Sequence, residues 1–180
     1  MKYKLLIGAD DFWACLQSDI RSAQKKVCIQ AMTFEADSVG KKVFAALKAS
    51  AAIDKHLCVD NFSKLTISDH FVYGPHRLVS AEFREEIRDT KEIFTSAKDF
   101  GIQLFFTNPL GWFLYKHPHR NHKKMMLIDE NIAYIGGINF SEHNFAWHDM
   151  MLRIEDDNLA QVFGDDFSHT IAGRNQSIKT

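Results

Sequence analysis

The sequence predicts an α/β domain built on a mixed sheet of about seven strands, with helices on both faces. Runs in which apolar residues alternate, as in Lys26–Met32, are typical of strands. Such strand-like runs alternate along the chain with segments whose apolar residues recur at helical spacing. The 180 residues, 46% hydrophobic and 25% charged, fit one globular domain with a real core. We expect this domain to span residues 1–173, followed by a polar tail at 174–180.

The first part of the chain is predicted to alternate strands with two helices. Asp10 or Asp11 is expected to cap the first helix, and Ser38 the second. Asn61–Ser80 is polar and contains Gly74-Pro75, so we expect a loop or a surface insertion there. The predicted strands are Tyr3–Ile7, Lys26–Met32 and Lys55–Asp60.

The second part begins with a longer predicted helix, from about Ala81 to Phe100, that Gly101 ends. Asn108–Asn121 mixes aromatic and basic residues without a clean period. Asp129–Asn131 is predicted to be the turn of a hairpin, and Asp157–Thr170 the last helix. The strands predicted here are Ile102–Phe106, Lys124–Ile128, Ile132–Ile135 and Asp149–Ile154.

Charge and apolar content restrict the function classes. The net charge of −1 gives no overall positive field that would recruit nucleic acid or anionic lipid, so such attraction has to be local. The apolar start of the chain stops at Gly8 and is followed by two aspartates, unlike a secretory signal. No apolar run approaches the ~18 residues of a membrane span. We therefore expect a cytoplasmic protein, at most peripheral to a membrane, with Cys15, Cys28 and Cys58 reduced.

Residues suited to handling a phosphate are concentrated in His122–Asn139. His122 and Lys124 lie two apart at the start of a predicted strand, so their side chains point to the same side. Histidine is a nucleophile or proton shuttle near neutral pH, and lysine offers a positive charge to a phosphate oxygen. Gly136-Gly137 lets the backbone approach a ligand, and Asn139 adds an amide donor. Together these residues suit a tetrahedral anion.

The same segment matches H-x-K-x4-D-x6-G-[GS]-x-N, the signature of the phospholipase D superfamily. Phe34–Gly40, placed before a predicted helix, is similar to that family's F-x-x-D-x-x-G segment. Ile135–His143, followed by His148-Asp149, resembles the first half of bacterial cardiolipin synthases. The resemblance extends from Lys4 to about Phe167 and implies a phospholipase D-type sandwich.

The resemblance implies roles for individual residues. His122 would attack phosphorus to form a phosphohistidine, or protonate the leaving alcohol if a partner histidine attacks. Lys124 and Asn139 would bind the non-bridging oxygens, beside the backbone of Gly137. Asp149 would accept a hydrogen bond from His122 and fix its tautomer.

Asp129, the aspartate of the catalytic motif, is implied to be structural, starting a turn and binding backbone amides there. Gly137 stands where many members of the superfamily carry serine. Glycine is common there in cardiolipin synthases, and this slightly favours lipid transfer. No metal or cofactor is implied, because two histidines and two lysines do the electrostatic work in this superfamily.

The chain carries one copy of the motif, whereas the active site of the superfamily needs two. The second lobe would come from an identical subunit, as in the small bacterial endonucleases of the family. Otherwise it would come from the missing C-terminal half of a longer protein, which the cardiolipin synthase resemblance favours.

Two other patterns leave alternatives open. His117, His119 and His122 form H-x-H-x-x-H, but supporting cysteines or carboxylates are missing nearby, so no metal site is predicted. Trp112–Arg120 combines aromatic and basic residues. That mixture suits a membrane interface or contact with single-stranded DNA, and it also suits aromatic side chains that pack as core.

The function that we predict is phosphodiester transfer or hydrolysis through a phosphohistidine. The preferred substrate is an anionic phospholipid such as phosphatidylglycerol, and a second phosphatidylglycerol as acceptor would yield cardiolipin and glycerol. A metal-independent homodimeric nuclease is the alternative enzyme, although the net charge of −1 makes nucleic acid the less favoured partner. A third alternative is a catalytically incomplete lobe that only binds lipid or nucleic acid.

Overall fold

The computed structural model describes residues 1–68, 70–109 and 122–173. The Trp112–Arg120 stretch, His117, His119 and the predicted tail at 174–180 lie outside the described residues. The strands are β1 (Lys2–Ile7), β2 (Lys26–Ala31), β3 (Asp54–Asp60), β4 (Thr66–Ile67), β5 (His70–Phe71), β6 (Ile102–Thr107), β7 (Lys124–Ile128), β8 (Ile132–Gly136) and β9 (Met150–Glu155). The α-helices are α1 (Ala9–Ser22), α2 (Ser38–Ala49), α3 (His76–Val79), α4 (Ala81–Ser96), α5 (Glu142–Phe145) and α6 (Asp157–Ile171).

Seven of the described strands form one mixed sheet in the order β1-β9-β8-β7-β2-β3-β6. β2, β3 and β6 run parallel, and the remaining neighbours are antiparallel. The predicted mixed sheet of about seven strands is confirmed. β4 and β5 form a separate two-stranded sheet inside the predicted insertion.

Alternate residues of the central strands enter two apolar clusters, one on each face of the sheet. On one face, Val27 and Ile29 of β2 pack with buried residues of α1, α2 and α4. On the other face, Cys28 packs with Met125 and with Ala160 and Phe167 of α6. The predicted helices on both faces are therefore confirmed.

The three cysteines are free thiols, and Cys28 and Cys58 are buried in the α6-side cluster. Burial raises the pKa of each of these two thiols to about 12. A neutral thiol reacts poorly, so these two cysteines are packing residues, as predicted.

The insertion after β3 has its own small core. A 3-10 helix at Asn61–Lys64 leads into β4, β5 and α3. Ile67 and Val72 pack there against Phe83 and Ile87 of α4. The predicted surface insertion is thus an ordered hairpin and short helix that use one face of α4 as a base.

Two predicted helix caps are wrong. α1 begins at Ala9 after Gly8 with no side-chain cap, so Asp10 and Asp11 lie in its first turn, where carboxylates favour the helix dipole. α2 is capped by Asp37 rather than Ser38, because the Asp37 side chain accepts hydrogen bonds from the next amides. The long helix is α-helical to Ser96, continues as a 3-10 helix at Ala97–Phe100 and ends at Gly101, as predicted.

The outer face of β1, β9 and β8 carries exposed apolar side chains on the α6 side of the sheet. Leu5 of β1 lies in register with Leu152 of β9, which in turn lies opposite Ile135 of β8. The exposed large apolar residues of these strands are Tyr3, Leu5, Ile7, Ile135 and Met150, which we call the edge-strand face. Within the described ranges, no helix is both long and apolar enough to cross a bilayer.

Candidate active site

The hairpin of β7 and β8 brings the two ends of the motif together. Lys124 at the start of β7 lies opposite Gly136 at the end of β8. His122 directly precedes this hairpin and Asn139 directly follows it. The spacing of the motif is therefore that of two antiparallel five-residue strands.

His122, Lys124 and Asn139 line one cavity of about 250 Å³. Met32 and Thr33, which follow β2, line it as well, because β2 is antiparallel to β7 and ends beside Lys124. The other lining residues belong to the segments after β3 and β8: Phe62, Thr66, Ser68, Ser141, His143, Asn144 and Trp147, joined by Glu35 before α2. Sequence reasoning missed these loop residues as a set, since only the sheet order brings their segments together.

Lys124 is half-buried at the mouth of this cavity. Its Nζ donates a hydrogen bond of 3.0 Å to the backbone oxygen of His122. Burial lowers the pKa of the Lys124 ammonium, and the nearby charge of Asp149 partly offsets that shift. The ammonium is thus poorly hydrated, so an incoming anion gains more from it than from an exposed lysine.

Asn139 is buried, and its amide is held from both sides. Its Oδ1 accepts a hydrogen bond of 3.2 Å from the backbone N–H of Met32. Its Nδ2 donates to Oδ1 of Asn144 at 3.5 Å, and Asn144 in turn donates to Ser141. Because the oxygen is taken by a backbone donor, the amide nitrogen is the group left to serve an anion in the cavity.

Gly137 lies directly against the carboxylate of Asp149. A Cβ atom at position 137 would lie 2.1 Å from Asp149 Oδ2, so a side chain there would displace the carboxylate. The carboxylate also accepts a hydrogen bond of 2.7 Å from the backbone N–H of Met150. The glycine of the motif is required here by close approach of this carboxylate.

The predicted contact between His122 and Asp149 is not formed in this structure. The His122 side chain is exposed. No hydrogen bond joins the two residues in the described part of the chain. The carboxylate of Asp149 instead accepts from the backbone N–H of Met150, and its charge attracts the ammonium of Lys124. The structure brings Lys124, Asn139 and His122 to one cavity, and it places Asp149 beside Gly137, outside the set of residues that line that cavity.

Asp129 lies at the far end of β7, away from this cavity. Its carboxylate accepts hydrogen bonds from the backbone N–H groups of Gln24, Lys25 and Lys26, at 2.8 to 3.2 Å. Burial raises the pKa of Asp129, but these amides and the charge of Lys25 outweigh it and hold the pKa below its usual value. The amides belong to the α1–β2 connection rather than to the turn of Asp129 itself, so its structural part is to join the hairpin to that connection.

A larger groove of about 760 Å³ runs beside Asp129, between α6 and the hairpin turn. None of the three phosphate-ligand candidates lines it. The smaller cavity is therefore the one that combines a histidine, a lysine and an amide donor.

Asp37 and Gly40 of the F-x-x-D-x-x-G segment hold together two chain segments that contribute residues to the cavity lining. The Asp37 carboxylate accepts hydrogen bonds from the backbone N–H groups of Val39 and Gly40, both at 2.9 Å, and from that of Glu142. It thereby joins the start of α2 to the start of α5, which follows Asn139. A Cβ atom at Gly40 would lie 1.7 Å from the backbone oxygen of Glu35, so only glycine fits there.

Glu35, Asp37 and Glu86 each bring one carboxylate oxygen within 4.8 Å of the others. Burial raises the pKa of Asp37 and of Glu86. A carboxyl group that keeps its proton more readily repels its acidic neighbours less. Asp37 is already engaged in the helix cap and Glu86 with Ser68. The cluster is explained by these contacts, and the expectation that no metal is needed stays a prediction.

Comparison with known proteins matches most of this chain to one family. A family model described as "Cardiolipin synthase, PLD-like domain" matches residues 16–171. Cardiolipin synthase B of Salmonella typhi is 27% identical over 170 residues, which are 88% of this chain and 36% of the relative. The chain spans about a third of the length of the curated relatives that it matches.

Two solved structures share the fold. NucT from Helicobacter pylori superposes with a TM-score of 0.68 at 16% identity, covering 96% of each chain. The phospholipase D family member Nuc from Salmonella typhimurium superposes with a TM-score of 0.60 at 16% identity, covering 98% of this chain and 99% of Nuc.

Proposed function

The chain belongs to the phospholipase D-like family described as that of cardiolipin synthase, and on that premise we propose that it transfers a phosphodiester through a covalent phosphohistidine at His122. The proposed substrate is an anionic glycerophospholipid such as phosphatidylglycerol. The observation that carries the proposal is the single cavity lined by His122, Lys124 and Asn139. It combines a nucleophile, a cation and an amide donor, the groups that phosphoryl transfer requires.

The reaction proceeds in two displacements at phosphorus. In the first, a ring nitrogen of His122 forms an N–P bond while the P–O bond to the leaving glycerol breaks, and that oxygen gains a proton from a general acid. In the second, an acceptor hydroxyl forms a new P–O bond, the N–P bond breaks, and the proton of the acceptor passes back to the same group. A second phosphatidylglycerol as acceptor gives cardiolipin and glycerol, and water gives phosphatidic acid.

Lys124 and Asn139 stabilise the charge on the non-bridging oxygens. The half-buried ammonium of Lys124 interacts more strongly with an anion than an exposed one does, because fewer waters screen it. The Asn139 amide is held in place by Met32 and Asn144, so it needs no reorganisation when charge develops. Asp149, which adjoins Gly137, orients His122 after the imidazole turns toward it in the substrate complex.

The general acid of this scheme is the histidine of a second copy of the motif, because the chain carries one copy and the site of the superfamily uses two. In the described part of the cavity lining, Lys124 is the only lysine, so one chain offers half of the cations that the superfamily's chemistry uses. The edge-strand face lies near the motif, because Ile135 precedes Gly136, the strand partner of Lys124, and Met150 follows Asp149. This apolar face is the surface on which the second lobe packs.

The experiment is product analysis by the purified chain in excess chelator. Phosphatidylglycerol vesicles and single-stranded DNA are offered side by side to wild type, His122→Ala, Lys124→Ala and the control Lys123→Ala. Lys123 lies between the two candidates, but its side chain pairs with Asp166 at 2.6 Å. We expect cardiolipin or phosphatidic acid from wild type and Lys123→Ala, and at least a 1,000-fold loss in the other two variants. Acid quenching should trap a phosphoryl group on His122.

Each other result has a definite meaning. Cleaved DNA with intact lipid would overturn the lipid substrate and favour a nuclease. Normal turnover by His122→Ala would overturn the site itself. Activity that is present in a parallel assay without chelator and absent with it would overturn the metal-free mechanism. An unreactive wild-type chain that stays monomeric would overturn activity of this lobe alone and would make it one lobe of a larger enzyme.

A further inference from the structure

The insertion after β3 exposes several large apolar side chains that lie close together in sequence. Leu78 and Val79 of α3 are 80% and 81% exposed. Phe71 of β5 and Tyr73 are also exposed, and their rings contact each other edge to face with centroids 5.7 Å apart. All four lie within nine residues of sequence, and we call them the insertion tip.

Folding of the insertion does not require the insertion tip. Ile67 and Val72 face inward and fill its small core with residues of α4. Val72 is buried, whereas its neighbours Phe71 and Tyr73 point outward. Side chains that face only solvent in such a hairpin are usually polar. The exposed apolar side chains of the tip therefore indicate contact with an apolar surface outside the chain.

The insertion tip is also held rigidly. Arg84 of α4 donates hydrogen bonds to the backbone oxygens of Arg77 and Leu78, at 2.9 and 3.3 Å. These bonds satisfy carbonyls at the end of α3 and fix Leu78 and Val79 in their exposed position.

The insertion tip adjoins the candidate active site. Thr66 and Ser68 of the same insertion line the cavity that contains Lys124. Thr66 is paired in the β4–β5 hairpin with Phe71, an exposed member of the tip. A surface that receives Phe71 therefore lies close to the lining of this cavity.

We propose that the insertion tip inserts into the interface of an anionic lipid bilayer and so brings the cavity to the depth of the lipid phosphodiesters. The proposal rests on the proposed lipid substrate, which has to enter the cavity from such a surface. Aromatic and aliphatic side chains at a protruding tip suit the boundary between headgroups and acyl chains. Residues 70–79 contain no acidic residue, and they contain Arg77, His70 and His76, so their charge complements anionic headgroups.

A second copy of the chain is the less suitable occupant of this tip. The tip is a short hairpin with a four-residue helix, and its four exposed apolar residues are few for a stable self-complementary interface. The flat edge-strand face lies elsewhere and suits a second lobe better. The tip and that face thus serve two different contacts.

The test measures vesicle binding by sedimentation, without turnover. The variant is Leu78→Ser with Val79→Ser, and the control is Ile53→Ser at an equally exposed site before β3, 82% exposed. Because all three side chains are mostly exposed, none of the substitutions opens the core. The vesicles contain phosphatidylglycerol and phosphatidylcholine, and a soluble chromogenic phosphodiester reports on the cavity separately.

We expect the double variant to partition at least 10-fold more weakly than wild type, with the control unchanged. Turnover of the soluble phosphodiester should be the same in all three proteins. Equal vesicle binding by wild type and the double variant would overturn the proposal, as would a wild-type chain that does not bind vesicles. A change of oligomeric state in the double variant would assign the tip to a second copy instead.

The proposed reaction and the proposed membrane contact fail independently. His122→Ala should bind vesicles as wild type does. Vesicle binding that depends on the insertion tip, without any lipid product, would contradict the reaction and leave the contact standing. Lipid turnover by wild type, together with unimpaired vesicle binding by the double variant, would contradict the membrane contact and leave the reaction standing.

Discussion

Gly137 leaves the space that the carboxylate of Asp149 occupies, so the two positions depend on each other. A methyl group at 137 would collide with that carboxylate. We expect Gly137→Ala to lower turnover about 100-fold, because a displaced carboxylate no longer orients His122. The measurement is kcat for Gly137→Ala, Asp149→Ala and the double variant.

In this cycle, the two substitutions should not be additive. If Gly137→Ala acts only by moving Asp149, it adds nothing once Asp149 is alanine. Multiplied losses in the double variant would mean that Gly137 acts by another route, for example through its own backbone. Unfolding curves should be alike, since Gly137 and Asp149 are only partly buried.

At the scale of single residues, the sequence predicted the centre of the cavity better than its walls. His122, Lys124 and Asn139 meet because a hairpin with a fixed turn brings the ends of one motif together. Thr33 and Ser68 also line the cavity, but their segments belong to other strands. Their positions follow from the order of the sheet, which local pattern does not encode.

Among the elements, the hairpin of β7 and β8 depends on Asp129 for its attachment to the start of β2. Asp129→Asn retains an acceptor and tolerates the backbone φ of 50° at this position, but it removes the charge that three amides share. We expect the free energy of unfolding to fall by about 1 kcal/mol near neutral pH. The kcat for the soluble phosphodiester should not change, because the turn lies at the end of β7 opposite to Lys124.

The pH dependence of this loss has a definite sign. The pKa of Asp129 is lowered in the folded chain, so its contribution is present above the ordinary pKa of about 3.9 and disappears as pH falls through the folded value. Denaturation curves of wild type and Asp129→Asn should therefore converge in acid. Glu130→Ala is the control, since its exposed pair with Lys25 contributes little. A loss that is constant with pH would contradict the role of charge.

The caps of α1 and α2 were predicted wrongly, whereas α4 and α6 begin at Ala81 and Asp157 as predicted. Asp37 and Ser38 are both good N-cap residues, and local sequence does not separate them. The structure selects Asp37, because its carboxylate also reaches the amide of Glu142 in another segment. For α1, strand β1 ends so close to the helix that Gly8 takes the cap position and Asp10 and Asp11 fall inside the first turn.

For the whole molecule, the edge-strand face should govern association with a second lobe. Leu5→Lys places a charge on that face, on the outermost strand and in register with Leu152. We expect this variant to stay folded, to sediment as a monomer, and to lose turnover of lipid and of soluble phosphodiester alike. Sedimentation velocity and a kinetic assay across a range of protein concentration are the measurements.

Ile53→Lys is the matched control for that variant. Ile53 is as exposed as any large apolar side chain of the described residues, yet it lies before β3 rather than on β1, β8 or β9. Its replacement should change neither association nor turnover. A Leu5→Lys chain that is monomeric and fully active would contradict the need for a second lobe.

The order of the sheet also constrains how the chain reaches this structure. β1 is the first strand in sequence, but it pairs with β9, which ends at Glu155. During synthesis, the first strand therefore has no partner until almost all of the domain has left the ribosome. The parallel strands β2, β3 and β6 can assemble earlier from neighbouring segments. Until then Leu5 and Leu6 remain an unpaired apolar strand, and this interval is when the nascent chain is most open to mispairing and to chaperone capture.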